Sequence, residues 1–255
     1  RGVMGMMDML KGKSAIVTGS SKGIGRAIAL ALAANGADVV INGNDEEKLR
    51  CVKAEAEALG VKCRVVRGDI SDSGTAARLA GVCMEAFGKI DILVNNAGVN
   101  SRIPFLELTE EEWHRMMGIN LDGVFYCCKA VLPYMAERQS GTIINISSTA
   151  SKTAHANASI CYGASKAAVN SMTQKLAYEM GPYHIRVNGI CPGPIETDMS
   201  LQWTKEYRTN VVKKIPLGVL GTTKNVADVA VFLASDMAGF INGETINVNG
   251  GSYMN

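Results

Sequence analysis

The sequence predicts an α/β fold of the Rossmann type: one doubly wound, seven-stranded parallel sheet with helices on both faces. Three observations carry that prediction. Short β-branched runs alternate with longer helical segments along the whole chain, the pattern of a parallel sheet with right-handed crossovers. The first apolar run stops at a glycine-rich turn that leads into a helical stretch. Later runs end in Asn, Gly, Ser or Pro, as strand-to-loop turns do at the sheet edge where ligands bind.

The 255 residues suit a single domain spanning 1–255, and a hydrophobic fraction of 47% can fill its core. Twenty-six Lys and Arg against 24 Asp and Glu leave a net charge of +2. That balance gives no electrostatic reason to expect nucleic acid or an anionic membrane as a partner. No apolar run reaches about 18 residues, so no membrane-spanning helix is expected. Residues 1–10 are rich in Met and Gly and lack the apolar core of a signal peptide. They are expected to be disordered or left over from cloning. Seven cysteines occur without a CxxC pair, and the three histidines lie far apart. Reduced thiols in a cytoplasmic protein and no metal site are the expectation.

Residues 14–18 read as the first strand. The turn Gly19-Ser20-Ser21-Lys22-Gly23-Ile24-Gly25 follows, then a helix over 26–35. Strand, glycine turn and helix place helix N–H groups against a phosphate, and the helix dipole favours the anion. The spacing here is Gly-x3-Gly-x-Gly, not the commoner Gly-x-Gly-x-x-Gly. Residues 38–42 form the second strand, followed by Gly43 and Asn44, with no carboxylate before Asp45. An acidic residue about here would bind the adenosine ribose of NAD. Its absence, with Lys22 in the glycine loop, favours NADP(H) and leaves NAD(H) as the alternative.

A helix over 45–59 and a strand over 62–67 lead to Gly68-Asp69-Ile70. Asp69 reads equally as an adenine contact or as a turn aspartate. A helix over 75–87 precedes a fourth strand over 90–94, which ends in Asn95-Asn96-Ala97-Gly98. Two amides and a glycine at a strand end suit a ribose, or an ordinary turn. Helices over 110–117 and 121–135 meet at Asn120, whose amide must find partners in an apolar setting. A strand over 142–146 ends in Ser147-Ser148, and the next helix runs to residue 180. That helix carries Tyr162 and Lys166, four apart and so on one face. An ammonium near a phenol stabilises the phenolate and brings its pKa toward neutrality. A sixth strand over 186–190 leads to Cys191-Pro192-Gly193-Pro194, and residues 194–214, charged and of mixed pattern, read as a mobile substrate flap. A helix over 225–234 and a seventh strand over 245–249 complete the chain.

Taken together, Thr18-Gly19-x3-Gly23-x-Gly25, Asn95-Asn96-Ala97-Gly98, Asn120, Ser148, Tyr162-x3-Lys166 and Pro192-Gly193 resemble the short-chain dehydrogenase/reductase family. The resemblance covers essentially the whole chain. Residues 193–199 and 240–254 look most like its 3-oxoacyl-(acyl-carrier-protein) reductase branch. The resemblance implies roles. Tyr162 would be the general acid or base. Lys166 would lower its pKa and hold the nicotinamide ribose. Ser148, preferred over Ser147, would bind the carbonyl oxygen, and Asn120 would hold a water linking Lys166 to solvent. Gly19, Ser20, Ser21, Lys22, Gly23, Ile24, Gly25 and Asn44 would hold the adenosine side, with Asp69 and Ile70 at the adenine. Asn96, Ala97 and Gly98 would lie along the ribose. Pro192, Gly193, Ile195 and Thr197 would fix the carboxamide.

It also implies a homotetramer built on helices near 104–135 and 160–180 and on the last strand. An acyl carrier protein is an implied partner, although Gln139 and Tyr183 stand where carrier-binding members place arginines, with Arg138 adjacent. Arg102 resembles the arginine of sugar-acid and polyol dehydrogenases in the family and would pair with a substrate carboxylate; a solvated loop arginine is the equal alternative. A polyol, sugar-acid or hydroxysteroid dehydrogenase is the second reading. A nucleotide-binding regulator that has lost catalysis is the third, and the full set Asn120, Ser148, Tyr162 and Lys166 speaks against it.

Overall fold

The computed structural model describes residues 8–197, 200 and 203–254. Strands β1 (Ser14–Val17), β2 (Asp38–Gly43), β3 (Cys63–Arg67), β4 (Ile92–Asn95), β5 (Gly141–Ile146), β6 (Ile185–Pro192) and β9 (Thr245–Val248) form one parallel sheet. Their order is β3-β2-β1-β4-β5-β6-β9. The jump from β1 to β4 opens a crevice at the C-terminal strand ends, because the chain winds outward in both directions from there.

Alternate residues of each strand serve opposite faces. Ala15 and Val17 of β1 pack with Ile28 and Leu32 of α1 (Gly23–Ala34), Leu49 of α2 (Glu46–Ala58) and Val226 of the Thr223–Ala234 helix. Ile16 packs the other way, with Leu79 of α3 (Ser73–Phe87), Val131 of α5 (Gly123–Glu137) and Val169 of α6 (Ile160–Met180). Both faces being covered is why these strands read as unbroken apolar runs.

The structure departs from the sequence expectation in four places. Helix α1 starts at Gly23, inside the glycine turn, because glycines there cost helix propensity yet let other backbone approach. Strand β6 continues through Cys191 and Pro192, which pair with Asn247 and Val248. Residues 194–214 are not irregular throughout. Strand β7 (Ile195–Glu196) pairs in parallel with β8 (Gly221–Thr222), and Lys205–Val212 is a helix capped by Thr204. Residues 198, 199, 201 and 202 of that segment lie outside the described residues. So do residues 1–7, on which most of the expectation for 1–10 falls; Leu10, by contrast, is fully buried, and its N–H donates to Asn35 O at 2.9 Å.

Asn120 lies in a π-helical turn, Gly118–Asp122, between α4 (Glu110–Met117) and α5. Such a turn re-aims a side chain without ending the helix.

Candidate active site

The site lies where β1 and β4 part. Gly19 leaves β1 with φ 62°, and a Cβ there would stand 2.7 Å from Ala97 Cα. A Cβ on Gly25 would come 2.3 Å from both Asn96 Nδ2 and Gly19 O. The glycine loop therefore lies directly on the end of β4, and no larger residue fits at either position. Thr18 Oγ1 accepts from the Asn96 and Ala97 N–H groups, each at 3.0 Å. Asn96 Nδ2 donates to Thr18 O and Gly19 O, each at 3.0 Å. The Asn96 Nδ2 thus fastens the loop to the end of β4.

Ser20 is likewise turned inward. It is fully buried; its N–H donates to Asn42 O at 2.8 Å and its hydroxyl to Val17 O at 3.0 Å. Asn42 is a residue that sequence reading passed over. Its Nδ2 donates to Val66 O and Gly68 O, each at 3.0 Å, so it ties the glycine loop to the ends of β2 and β3. The one signal available was an amide inside an apolar strand.

Helices α2, α3 and α4 are capped by the side chains of Asp45, Asp72 and Thr109. Helix α1 has no side-chain cap and no acidic residue in its first turn. Its first N–H groups and positive dipole end are left for an outside anion. This open end beside a glycine cradle fits the diphosphate of a dinucleotide, with Ser21, Lys22, Gly23 and Ile24 around it.

The adenosine side is exposed at Lys22 and Asn44. The Asp45 carboxylate is held below its ordinary pKa chiefly by the Lys48 N–H that it caps at 3.1 Å. Asp69 is also exposed, and its Oδ1 accepts from Ser71 N–H at 2.9 Å and Ser71 Oγ at 2.8 Å, closing a turn. Ile70 packs inward against Gly123, which leaves only its main chain for an adenine. On the opposite side, Gly193 N–H donates to Val248 O at 3.0 Å. Ile195 is buried against Gly221, and the Thr197 main chain is closed on Ser200.

The reacting end is built on α6. Lys166 is 4% exposed, and its Nζ donates to Ile146 O at 2.7 Å. Desolvation pushes its ammonium down to about 8. Nζ lies 6.0 Å from the centroid of the Tyr162 ring. Burial raises the Tyr162 phenol above its ordinary value, and a hydrogen bond with Ser148 pulls it partly back. The expectation that Lys166 depresses this pKa is therefore not met: burial dominates, and the ammonium bonds to a main-chain carbonyl. Ser147 is not the hydroxyl beside the phenol, since its Oγ donates to Lys166 O at 3.1 Å. Ser148 caps the short turn Thr149–Ser151, its Oγ accepting from Ala150 N–H at 3.1 Å.

Asn120 is fully buried. Its Nδ2 donates to Val99 O at 2.9 Å and Ser165 Oγ at 3.1 Å, and its Oδ1 accepts from Val99 N–H at 2.8 Å. With both amide hydrogens used, it bolts the loop after β4 to α6, and Oδ1 keeps one lone pair free. A Cβ on Gly98 would lie 3.2 Å from Asn120 Oδ1 and 3.4 Å from Lys166 Nζ, so Gly98 keeps the space between them open. Two arginines singled out from sequence are engaged within the protein. Arg102 lies 5.5 Å over the Tyr207 ring, and Arg138 donates to Asp91 Oδ1 at 3.0 Å.

This arrangement belongs to an NAD(P)-dependent oxidoreductase. Residues 19–253 match the family described as enoyl-(acyl carrier protein) reductase. The chain belongs to the short-chain dehydrogenase/reductase family. It is 38% identical to the 3-oxoacyl-(acyl-carrier-protein) reductase of Staphylococcus aureus, over 95% of this chain and 98% of that one. A crystal structure of the enzyme of that name from Brucella melitensis superposes with a TM-score of 0.92 at 34% identity, covering 98% of this chain and 95% of that one. A structure assigned to a gluconate dehydrogenase of Agrobacterium tumefaciens gives 0.91 at 33% identity, covering 97% and 98%.

Proposed function

We propose that the protein reduces the 3-oxo group of an acyl thioester with NADPH. The observation that carries the reaction is Tyr162 one turn from the buried Lys166 on α6, with Lys166 Nζ 6.0 Å from the centre of its ring and Ser148 at the head of the turn beside it. A bound nicotinamide dinucleotide supplies the hydride. As the carbonyl oxygen gains negative charge, the Ser148 hydroxyl donates a hydrogen bond to it and Tyr162 gives it the phenolic proton. A phenol with a raised pKa stays protonated at neutral pH, which suits the reductive direction. Lys166, near 8, is poised to return a proton to the phenolate. In the oxidative direction the same groups act in reverse.

NADP(H) is favoured over NAD(H) because Asp45, the first carboxylate after β2, is committed to capping α2, while Lys22 stands exposed in the glycine loop. The thioester reading draws on the Staphylococcus and Brucella relatives. An acyl carrier protein is the proposed carrier, although Arg138 is bonded to Asp91. Residues 194–214 would close over the acyl chain. The second reading, a sugar-acid or polyol dehydrogenase, draws on Arg102 and on the Agrobacterium structure. A substrate carboxylate would there compete with the Tyr207 ring for the guanidinium.

Oxidation of NADPH and NADH is followed at 340 nm with acetoacetyl-CoA, the matching carrier-protein thioester, ketoses and sugar acids. The expected result is NADPH-dependent turnover of the thioesters, abolished in Tyr162→Phe. Turnover confined to a sugar acid or polyol would move the substrate to the second reading. Unchanged activity in Tyr162→Phe would overturn the mechanism, and cofactor binding without any turnover would favour the regulator.

A further inference from the structure

We propose that Asn170 and Ser151 form a strut that sets Ser148 against Tyr162, which makes Asn170 a positioning residue for the proton transfer. The proposal rests on the reading of Tyr162 as the proton donor.

Asn170 lies on α6 one turn beyond Lys166 and two beyond Tyr162, on the same side of the helix. Its Nδ2 donates to Ser151 Oγ at 2.7 Å. Ser151 Oγ in turn donates to Ser148 O at 2.5 Å, and Ser151 N–H reaches the same carbonyl at 3.0 Å. The Cys191 thiol lies 4.0 Å from Asn170 Oδ1 and 3.9 Å from Ser151 Oγ. Three parts of the site meet at this point: the helix of Tyr162 and Lys166, the turn headed by Ser148, and the end of β6 before Pro192. A Cβ on Gly163 would stand 3.1 Å from Ala150 O, so the turn rests on the first turn of α6.

The turn Thr149–Ser151 is a single 3₁₀ turn, and such turns are weak by themselves. The aim of the Ser148 hydroxyl follows the turn, because its Oγ is bonded to Ala150 N–H. Two hydrogen bonds in series reinforce one another in a partly buried site. Neither Asn170 nor Ser151 is bonded to Tyr162 or Lys166 in the structure, so their influence runs through Ser148. Without the strut the turn keeps its place coarsely, since Lys152 Nζ still donates to Thr245 O and Asn247 Oδ1, each at 3.0 Å. The variants therefore fold, with Ser148 free to shift.

The test titrates the Tyr162 phenol by NMR in the cofactor-free chain labelled with [13Cζ]-tyrosine, the signal assigned with Tyr162→Phe. Wild type, Asn170→Ala, Ser151→Ala, the double variant and Ser151→Thr are compared, and kcat and KM are measured for each. In Asn170→Ala and Ser151→Ala the titration is expected to move to higher pH, because the Ser148 hydrogen bond that holds the phenol down is loosened. Turnover should fall about 10- to 100-fold with KM unchanged, as for a small misplacement of a reacting group. The double variant should be no worse than either single one, and Ser151→Thr should restore both readouts. An unmoved titration in both single variants would overturn the strut, as would losses that add in the double variant and track a fall in thermal stability. A wild type without carbonyl turnover sinks the functional reading alone, while the titration still decides the strut.

Discussion

Lys166 is held in the fold against its own solvation. Its ammonium is nearly sealed from water and has one carbonyl acceptor, and burial brings its pKa from 10.5 to about 8. Below about 8 both the folded and unfolded chains bind this proton, and the folded state carries the whole desolvation penalty. Between about 8 and 10.5 the unfolded chain binds more protons, so stability rises with pH. Lys166→Met removes that titration. At pH 7 its thermal midpoint is expected at or above that of wild type, with turnover lost, and the gap should close as the pH rises through that window. A midpoint well below wild type at pH 7 would contradict the account. Tyr162 and Lys166 were legible because a four-residue spacing places two side chains together on any helix. The bonds of Ser20 and Asn96 to the protein's own backbone were not legible, because a loop polar residue reads alike whether it faces a ligand or its own backbone. Asn42 and Asn170 were missed because their partners come from other elements, at Val66, Gly68 and Ser151.

At the scale of elements, the crevice depends on how β1 and β4 are fastened at their opposite ends. Asp91, at the foot of β4, is 5% exposed and accepts from Ser14 N–H at 2.8 Å and Arg138 at 3.0 Å, with Lys89 at 3.4 Å. Burial alone would raise its carboxyl, but the Ser14 N–H, Arg138 and Lys89 outweigh it and hold the pKa below the usual range. Asp91 therefore joins β1, β4 and the end of α5. Asp91→Ala leaves the Ser14 N–H without its acceptor and Arg138 with only Ile90 O at 3.2 Å, and a loss of about 1–3 kcal/mol is expected in denaturant unfolding. Turnover per folded molecule should be unchanged, because the reacting groups sit at the other edge of the sheet. The carboxylate's stabilisation is complete above its unfolded pKa and is lost as the pH falls through the folded value, so the variant's deficit should shrink in acid. An undiminished deficit at low pH would point to a packing role. The main strands were legible because buried parallel strands are continuous apolar runs. Strands β7 and β8 were not, since two residues carry no periodicity.

For the whole molecule, the alternation of strand and helix leaves little choice of layout once right-handed crossovers are required. What such reasoning does not reach is the outer surface, where apolar side chains make no pattern that burial can explain. Phe240 and Met237 stand exposed before β9, and β9 is an edge strand of the sheet. Leu106, Phe105 and Phe125 are exposed along the 105–125 region. An edge strand flanked by exposed aromatic and methionine side chains is suited to another protein surface more than to water. The site residues come from one chain, so association is expected to steady the site's outer elements without completing it. The homotetramer that the family resemblance implies is the outcome expected in sedimentation velocity. Phe240→Asp should remove the contact at the β9 end and leave dimers that remain folded and bind NADPH. A wild-type chain that sediments as a monomer would show that β9 and its exposed neighbours face solvent. A Phe240→Asp tetramer would place the contact elsewhere on the surface.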